Sequence, residues 1–212
     1  MILFIDTETS GFPKNGVGLE DPKQARILEI ACILTDDQGK VISTLDTLVK
    51  CGDIEIHGSA FKIHGITAEE CNEKGIEFMD MISLIKWYIS QSSVVVAHNM
   101  KFDEGMLGIY NVCFADDKKF CTMKAMTDIL KIPNRFNNGY KWANLKESAD
   151  YFGLVNREAH RAMADAEMCK EIYFKIQGQS LVNSLPDHEP RKRDASLEGD
   201  WTRKPEIELQ EL

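Results

Sequence analysis

The stretch Ile2-Leu-Phe-Ile-Asp6-Thr-Glu8 joins an unbroken apolar run directly to two acidic residues. Such a run is typical of a β-strand that is buried on both faces, as in the centre of an α/β sheet. Side chains along a strand repeat with a period of two, so Asp6 and Glu8 are predicted to share one face. Because buried carboxylates are costly without a neutralising charge, this pair indicates a site for a cation.

The segments that follow extend this strand into a sheet. Residues 26–35 and 40–49 are rich in apolar residues and flank the turn Asp36-Asp-Gln-Gly39. Together with the first strand they predict a three-stranded antiparallel meander. From residue 78 apolar residues recur at three- and four-residue steps, and the strand Ser93-Val-Val-Val-Ala97 comes next. Strand–helix–strand alternation adds strands in parallel.

The fold class predicted from these patterns is α/β. We expect a mixed five-stranded sheet, an antiparallel meander plus parallel strands, that is flanked by helices. The remaining elements are a short strand near residues 120–121 and helices that begin near Lys101 and lie near residues 123–131, 144–152 and 161–177.

Length and composition predict one folded domain followed by a tail. With 212 residues, of which 43% are hydrophobic, the chain can bury a sizeable core, which we place in residues 1–180. Residues 181–212 are rich in Pro and charged residues and are predicted to form a polar C-terminal tail, extended or disordered. The net charge of -9 argues against a broad basic surface that binds polyanions. If four of the acids hold divalent cations, however, the opening of the active site would be roughly neutral.

The six cysteines are scattered and form no C-x-x-C pair, so neither a disulfide framework nor a zinc site is indicated. A reducing, cytoplasmic location fits this usage best. The first residues lack a basic segment, and their apolar run is too short for a signal peptide or a membrane span.

Three further residues complete a candidate catalytic group. Asp103 is predicted in the first turn of the helix after the strand at 93–97, at the sheet end where α/β folds place their sites. Asp165 starts a helical apolar stripe that continues through residues 168, 169, 172 and 176, so its carboxylate faces the core. His160 stands just before that helix, and an imidazole can take a proton from water near neutral pH.

Five blocks of the chain, in order, resemble the motifs of the DEDDh (DnaQ-like) 3′–5′ exonucleases, and the resemblance spans residues 1 to about 177. The blocks are Asp6-Thr-Glu-Thr-Ser-Gly11, Arg26-Ile-Leu-Glu-Ile-Ala31, His64-Gly-Ile-Thr67, His98-Asn-Met-Lys-Phe-Asp103 and His160-Arg-Ala-Met-Ala-Asp-Ala166. The resemblance implies a ribonuclease H-like fold, two Mg²⁺ or Mn²⁺ ions and the release of nucleoside monophosphates from a 3′ end.

The resemblance also implies a role for each matching residue. Its metal-binding carboxylates match Asp6, Glu8, Asp103 and Asp165, and its general base matches His160. The residues expected to contact the terminal nucleotide are Thr7, Thr9, Phe12, His98, Asn99 and Phe102, with His64 ordering a loop beside them. Stacking of a base on Phe12 would tolerate any sequence.

Three functions remain open from the residues alone. The first is proofreading or trimming of single-stranded or frayed DNA 3′ ends, with a polymerase as a partner for the tail. Glu-Thr-Ser-Gly after Asp6-Thr favours this reading over the oligoribonuclease branch, where Glu-Met-Thr-Gly is typical. The second is trimming of RNA 3′ ends, since a few contacts to the 2′-OH decide the sugar. The third is a non-catalytic nucleic-acid-binding polymerase subunit.

Overall fold

A computed structural model of the chain describes residues 1–14, 16–19, 21, 23–136, 138–155 and 160–183, with side chains described up to residue 178. It shows one five-stranded sheet of order β3-β2-β1-β4-β5. The strands are β1 (Ile2–Thr9), β2 (Ile27–Thr35), β3 (Val41–Leu48), β4 (Val94–Ala97) and β5 (Lys119–Cys121).

The sheet is mixed, as the sequence predicts. β2 pairs antiparallel with both β1 and β3, which confirms the meander. β4 pairs parallel with β1, and β5 pairs parallel with β4. The first strand is therefore central, and its carboxyl end lies at the same edge as that of β4.

The described helices cover both faces of the sheet. They are α1 (Gly58–His64), α2 (Ala68–Lys74), α3 (Phe78–Gln91), α4 (Met100–Ile109), α5 (Thr122–Leu130), α6 (Leu145–Tyr151) and α7 (Ala162–Asn183), with one 3₁₀ turn at Asp116–Lys118. Within the described residues no helix is long and apolar enough to cross a membrane.

β1 is buried on both faces because its apolar side chains alternate between two cores. Leu3 and Ile5 belong to the core under α3 and α4. Ile2 and Phe4 pack in the other core, where Phe4 meets the ring of Tyr173 from α7 edge-on, with centroids 5.4 Å apart. The central strand thus ties together the two helical layers that carry the rest of the site.

Two short helices were not predicted, and α7 is longer than expected. α1 and α2 have seven residues each, too few for an apolar stripe to repeat. Their ends are set by local chemistry: Thr67 caps α2 through the Glu70 N–H, and Gly65 ends α1 at a φ of 69°. α7 continues to Asn183, three residues past the predicted domain boundary. The rest of the predicted tail, residues 184–212, lies outside the described residues.

Candidate active site

Three carboxylates from distant parts of the chain meet at the carboxyl end of β1. Asp6 and Glu8 come from β1, and Asp165 comes from the first turn of α7, which packs across β1 and β2. One carboxylate oxygen from each lies within 4.8 Å of the other two. The predicted face-sharing of Asp6 and Glu8 and the core-facing direction of Asp165 produce this group.

Burial and mutual repulsion disfavour the negatively charged forms of these carboxylates. Burial raises the pKa of Asp6 well above its usual range, and the charges of Asp103, Asp165 and Glu8 raise that pKa further. Burial also raises the pKa of Glu8 to about 8, with added repulsion from Asp165 and Glu29 that Arg161 offsets only in part. Without cations, the group therefore retains protons near neutral pH.

Asp103 lies beside the three-carboxylate group and is held by a hydroxyl. It is 2% exposed in the first turn of α4, as predicted, and its Oδ1 accepts a hydrogen bond from the Thr7 hydroxyl at 2.8 Å. Burial raises the pKa of Asp103 to about 7, although the Thr7 hydrogen bond opposes the rise. Its charge acts on Asp6, so the two carboxylates are electrostatically linked across β1 and α4.

His160 is exposed immediately before α7, and its backbone is tied to the acidic group. Its N–H donates to Oδ2 of Asp165 at 3.2 Å, and its φ of 70° marks a left-handed turn that leads into the helix. His160 and Asp165 together line a cavity of about 300 Å³ that α6 closes with Leu145 and Ala149. The predicted neighbourhood of His160 and Asp165 is therefore present.

A latch that the sequence analysis missed fixes this turn. Glu29 of β2 is 2% exposed, and its carboxylate accepts hydrogen bonds from the Arg161 guanidinium and, at 2.9 Å, from the Ala162 N–H. Arg161 follows His160 directly, so the latch holds the start of α7 against β2. An acid within the apolar run of β2 was the available signal, since it breaks the pattern in the same way as Asp165 does.

A small pocket of about 160 Å³ adjoins Glu8. Four of the residues predicted to contact a nucleotide line it, and the loop-ordering histidine lines it too: Thr7, Thr9, Phe12, Phe102 and His64. Phe12 is 79% exposed, and its ring meets that of Phe102 edge-on with centroids 5.8 Å apart. Four further lining residues, which the sequence analysis did not single out, belong to α1 or cap it: His57, Ser59, Ala60 and Ile63.

His64 orders the wall of this pocket, as expected. Its Nδ1 accepts a hydrogen bond from the Ile66 N–H at 3.0 Å, so Nε2 carries the proton and donates to the Thr9 carbonyl at 3.2 Å. Burial lowers the pKa of His64, which favours this neutral form. The histidine thus fastens the turn after α1 to the end of β1.

The structure does not bring His98 and Asn99 into that pocket. His98 uses both ring nitrogens internally: Nε2 donates to the Ala143 carbonyl at 3.1 Å, and Nδ1 faces the Thr122 hydroxyl at 3.0 Å. Burial lowers the pKa of His98 to about 4, so the ring is neutral. Asn99 caps the start of α4 in a left-handed conformation, with φ of 75°, which an Asn adopts more readily than most residues. Both residues shape the corner between β4 and α4.

The donor set suits hard divalent cations. Carboxylate oxygens are the ligands that Mg²⁺ and Mn²⁺ prefer, and the three oxygens of Asp6, Glu8 and Asp165 converge without a thiol or imidazole among them. The raised pKa values of Asp6 and Glu8 show the electrostatic cost that such a cation would remove. The residues present therefore fit the predicted metal.

Comparison with known proteins agrees with this class of site. The exonuclease family RNase T matches residues 3–173. An exonuclease of Escherichia phage 186, named as uncharacterised, is 31% identical over 177 residues, which cover 78% of this chain and 82% of the phage protein. The DNA polymerase III subunit epsilon of Treponema pallidum is 30% identical over 171 residues, covering 79% of this chain and 72% of its own.

Solved structures share the fold. Escherichia coli exonuclease I in complex with a dA16 oligonucleotide superposes with a TM-score of 0.65 at 21% identity, covering 86% of this chain. A product-bound exonuclease I superposes with a TM-score of 0.68 at 19% identity. This chain spans 42% and 45% of those two longer proteins, respectively.

A ribonuclease H-like sheet with an acidic group at the end of its central strand defines a nuclease of the metal-dependent, phosphodiester-hydrolysing class. The match over residues 3–173 makes the assignment specific: the chain belongs to the exonuclease family, and the DEDDh (DnaQ-like) resemblance of its sequence is confirmed.

Proposed function

We propose that the protein is a two-metal-ion 3′–5′ exonuclease that releases nucleoside monophosphates from single-stranded or frayed DNA 3′ ends. The observation that carries this proposal is the convergence of Asp6, Glu8 and Asp165 within 4.8 Å, beside a pocket that shares Glu8. Family membership supports the reaction class, and relatives that are named DNA polymerase III subunit epsilon or crystallised with DNA oligonucleotides support DNA as substrate.

Asp6, Glu8, Asp103 and Asp165 would hold two divalent cations, Mg²⁺ or Mn²⁺. When bound, such cations supply an activated water and neutralise the charge that develops on a phosphate during cleavage. Thr7 keeps the Asp103 carboxylate in a fixed orientation through its 2.8 Å hydrogen bond. The carboxylates contribute by being placed and desolvated before any substrate arrives.

His160 would act as the general base. Its main chain is fixed on both sides, by its own N–H to Asp165 and by the Arg161–Glu29 latch, while the residue itself stays exposed at the cavity that Asp165 lines. A side chain with this anchoring can take the proton of an attacking water in the cavity.

The pocket beside Glu8 would receive the 3′-terminal nucleotide. Phe12 offers a largely exposed ring for stacking against the base, and Phe102 supports that ring from one side. Stacking is tolerant of base identity, which suits a trimmer without sequence preference. Thr7 and Thr9 line the same pocket and would contact the nucleotide there.

The location and partner form part of the same proposal. Six cysteines that are free thiols fit a reducing, cytoplasmic compartment. A DNA polymerase is the partner suggested by the names of the epsilon relatives, and the C-terminal segment proposed to contact it lies outside the described residues.

Digestion of matched, 5′-labelled single-stranded DNA and RNA tests the function. The reactions contain Mg²⁺, Mn²⁺ or a chelator, and Asp165→Ala protein is run beside the wild type. A ladder of shortened DNA that requires both the metal and Asp165 is expected. A ladder from RNA alone would identify RNA, not DNA, as the substrate. Uncleaved, full-length substrate in every reaction would indicate a non-catalytic binding subunit.

A further inference from the structure

The segment that joins α5 to α6 carries three exposed aromatic side chains. Phe136 is 88% exposed, Trp142 61% and Tyr140 50%. Large aromatic rings usually contribute buried area, so a cluster of exposed ones marks a binding surface more often than a random patch does. We name residues 131–142 the aromatic loop.

The aromatic loop is also locally basic. It contains Lys131, Arg135 and Lys141 and no acidic residue, in a chain whose net charge is -9. Lys141 is paired with Glu147 of α6. No ion pair involves Lys131 or Arg135 among the residues that the structure describes, so their charge is available to an anionic partner.

Hydrogen bonds hold the two described arms of the aromatic loop, residues 131–136 and 138–142, against each other. The Lys141 N–H donates to the Ile132 carbonyl at 2.9 Å, and the Asn134 N–H donates to the Gly139 carbonyl at the same distance. Pro133 and Tyr140 form a β-bridge between the two arms. A surface that is shaped before binding loses less conformational entropy when a ligand arrives.

The aromatic loop is continuous with the active site. Ala143, the next residue, is buried; its carbonyl accepts the His98 ring N–H, and its own N–H donates to the Thr127 hydroxyl at 2.9 Å. Two residues further on, Leu145 lines the cavity that His160 and Asp165 share. A polymer that ends at the acidic group can therefore continue along this side of the molecule.

We propose that the aromatic loop is a stacking platform for the single-stranded nucleic acid that precedes the 3′-terminal nucleotide. This inference rests on the proposed function, because the 3′ end must lie at the acidic group. Bases stack on Phe136 and Trp142, and Arg135 neutralises backbone phosphate. An exposed aromatic surface with available cations is the combination by which proteins bind single strands without regard to sequence.

Kinetics on a long and a minimal substrate test the platform. The long substrate is a thymidine oligonucleotide of roughly 20 nucleotides, longer than the 4–16 that one single-strand-binding module occupies. The minimal one is the p-nitrophenyl ester of thymidine 5′-monophosphate, which has no preceding nucleotide. For the double variant Phe136→Ala/Trp142→Ala we expect KM for the oligonucleotide to rise about five-fold or more, with turnover of the ester retained.

The matched control is Trp87→Ala. Trp87 is 48% exposed on α3, a helix of the opposite sheet face from α7, and its removal should leave KM for the oligonucleotide as in the wild type. Equal KM values for the loop variant and the wild type would overturn the platform. So would a loss of ester turnover as large as the loss on the oligonucleotide, because the loop would then act on the acidic group itself.

Direct binding separates this proposal from the proposed function. Fluorescence anisotropy of the labelled oligonucleotide measures affinity without cleavage in Ca²⁺. Wild-type protein that binds the strand five-fold or more tightly than the loop variant supports the platform even if it cleaves neither substrate, and in that case only the proposed function fails. Equal affinities would assign the exposed rings to a protein partner instead and overturn the platform.

The role of Arg135 is visible in the salt dependence of that affinity. The affinity for a single strand falls with salt, and the slope of log K against log salt is negative. Each phosphate that a protein no longer neutralises reduces the magnitude of that slope by about 0.7. Arg135→Gln should show a decrease of this size, whereas the control Lys86→Gln on α3 should keep the wild-type slope. An unchanged slope for Arg135→Gln would remove Arg135 from the platform.

Discussion

Two acids that pair across neighbouring strands, one buried and one partly buried, have opposite surroundings. Glu29 of β2 is the register partner of Glu8 of β1. Glu29 receives the guanidinium of Arg161 and the Ala162 N–H. Glu8 instead lies among carboxylates, and burial with their repulsion raises the pKa of Glu8 to about 8.

The difference supports the role proposed for each acid. Where the fold supplies a cation, as Arg161 does for Glu29, a buried acid becomes a structural latch. Where the fold supplies mostly like charge, as around Asp6 and Glu8, a cation from solution would stabilise the charged form, as proposed above. The latch and the acidic group meet at the first turn of α7, so a substitution in the latch should change the geometry of the acidic group, and the reverse.

The largest effect is expected for Asp165→Ala, which takes one of the three converging carboxylates out of the group. Because bound metals supply several kcal/mol of transition-state stabilisation, we expect kcat to fall by about 10³-fold or more. Turnover of the DNA oligonucleotide measures it. Asp80→Ala on α3, an exposed acid outside the site, is the control and should stay close to the wild-type rate. A normal rate for Asp165→Ala would contradict the metal-ligand assignment.

His160→Ala tests the residue that stands between latch and acidic group. Loss of a general base slows proton transfer by roughly 10²–10⁴-fold, so kcat should fall by that factor while KM changes little. Raising the pH should restore part of the rate, since hydroxide replaces the missing base. A rate that barely changes and shows no gain at high pH would assign proton removal to another group.

Glu29→Gln weakens the latch without removing an acid from the site. The start of α7 loses its charge-assisted anchor, and outer-shell changes of this kind cost roughly 10–100-fold in metal affinity or activity. The Mn²⁺ concentration that gives half-maximal activity should rise accordingly. Glu77→Gln, which breaks the exposed pair with Lys50, is the matched control and should have no such effect. If both variants need the same Mn²⁺ concentration as the wild type, the latch does not position the site.

The smallest effect concerns stability without metal. In the folded protein the pKa of Glu8 is raised from 4.5 to about 8 and that of Asp103 from 3.8 to about 7, so the folded state binds protons that the unfolded chain releases. The stability that these two groups contribute is therefore fully present below about pH 4 and is lost as the pH rises through 7 to 8. The Tm of chelator-treated protein should fall by several degrees over this window.

Divalent metal and the Asp165→Asn variant should each flatten that pH dependence. The metal neutralises the group, and the variant removes a charge that raises the pKa values of Asp6 and Glu8. Thermal unfolding followed by circular dichroism at pH 5, 6, 7 and 8 measures both effects. A Tm that rises with pH in the metal-free wild type would show that other groups of the protein already neutralise these carboxylates.

Much of the fold follows from local patterns. The apolar run before Asp6, the two strands around Asp36-Asp-Gln-Gly39 and the stripe of α3 predict strand and helix type because each repeats its period several times. α1 and α2 were not predicted because seven residues are too few for an apolar pattern to repeat. Capping residues set the ends of these helices instead. Asp6, Glu8 and Asp165 could be selected because each places charge on an apolar face.

The sequence by itself determined that Asp6, Glu8 and Asp165 place charge on apolar faces and which family the chain resembles, since both depend on residue order. Only the tertiary structure decided which partner each acid receives. Glu29 and Glu8 look alike along the chain, and their roles diverge because Arg161, more than a hundred residues away in sequence, reaches one and not the other closely enough for hydrogen bonds. His98 likewise turned inward because Ala143 and Thr122 satisfy both its nitrogens. Hydrogen-bond partners and charge neighbours are set by three-dimensional packing, and a one-dimensional pattern does not contain them.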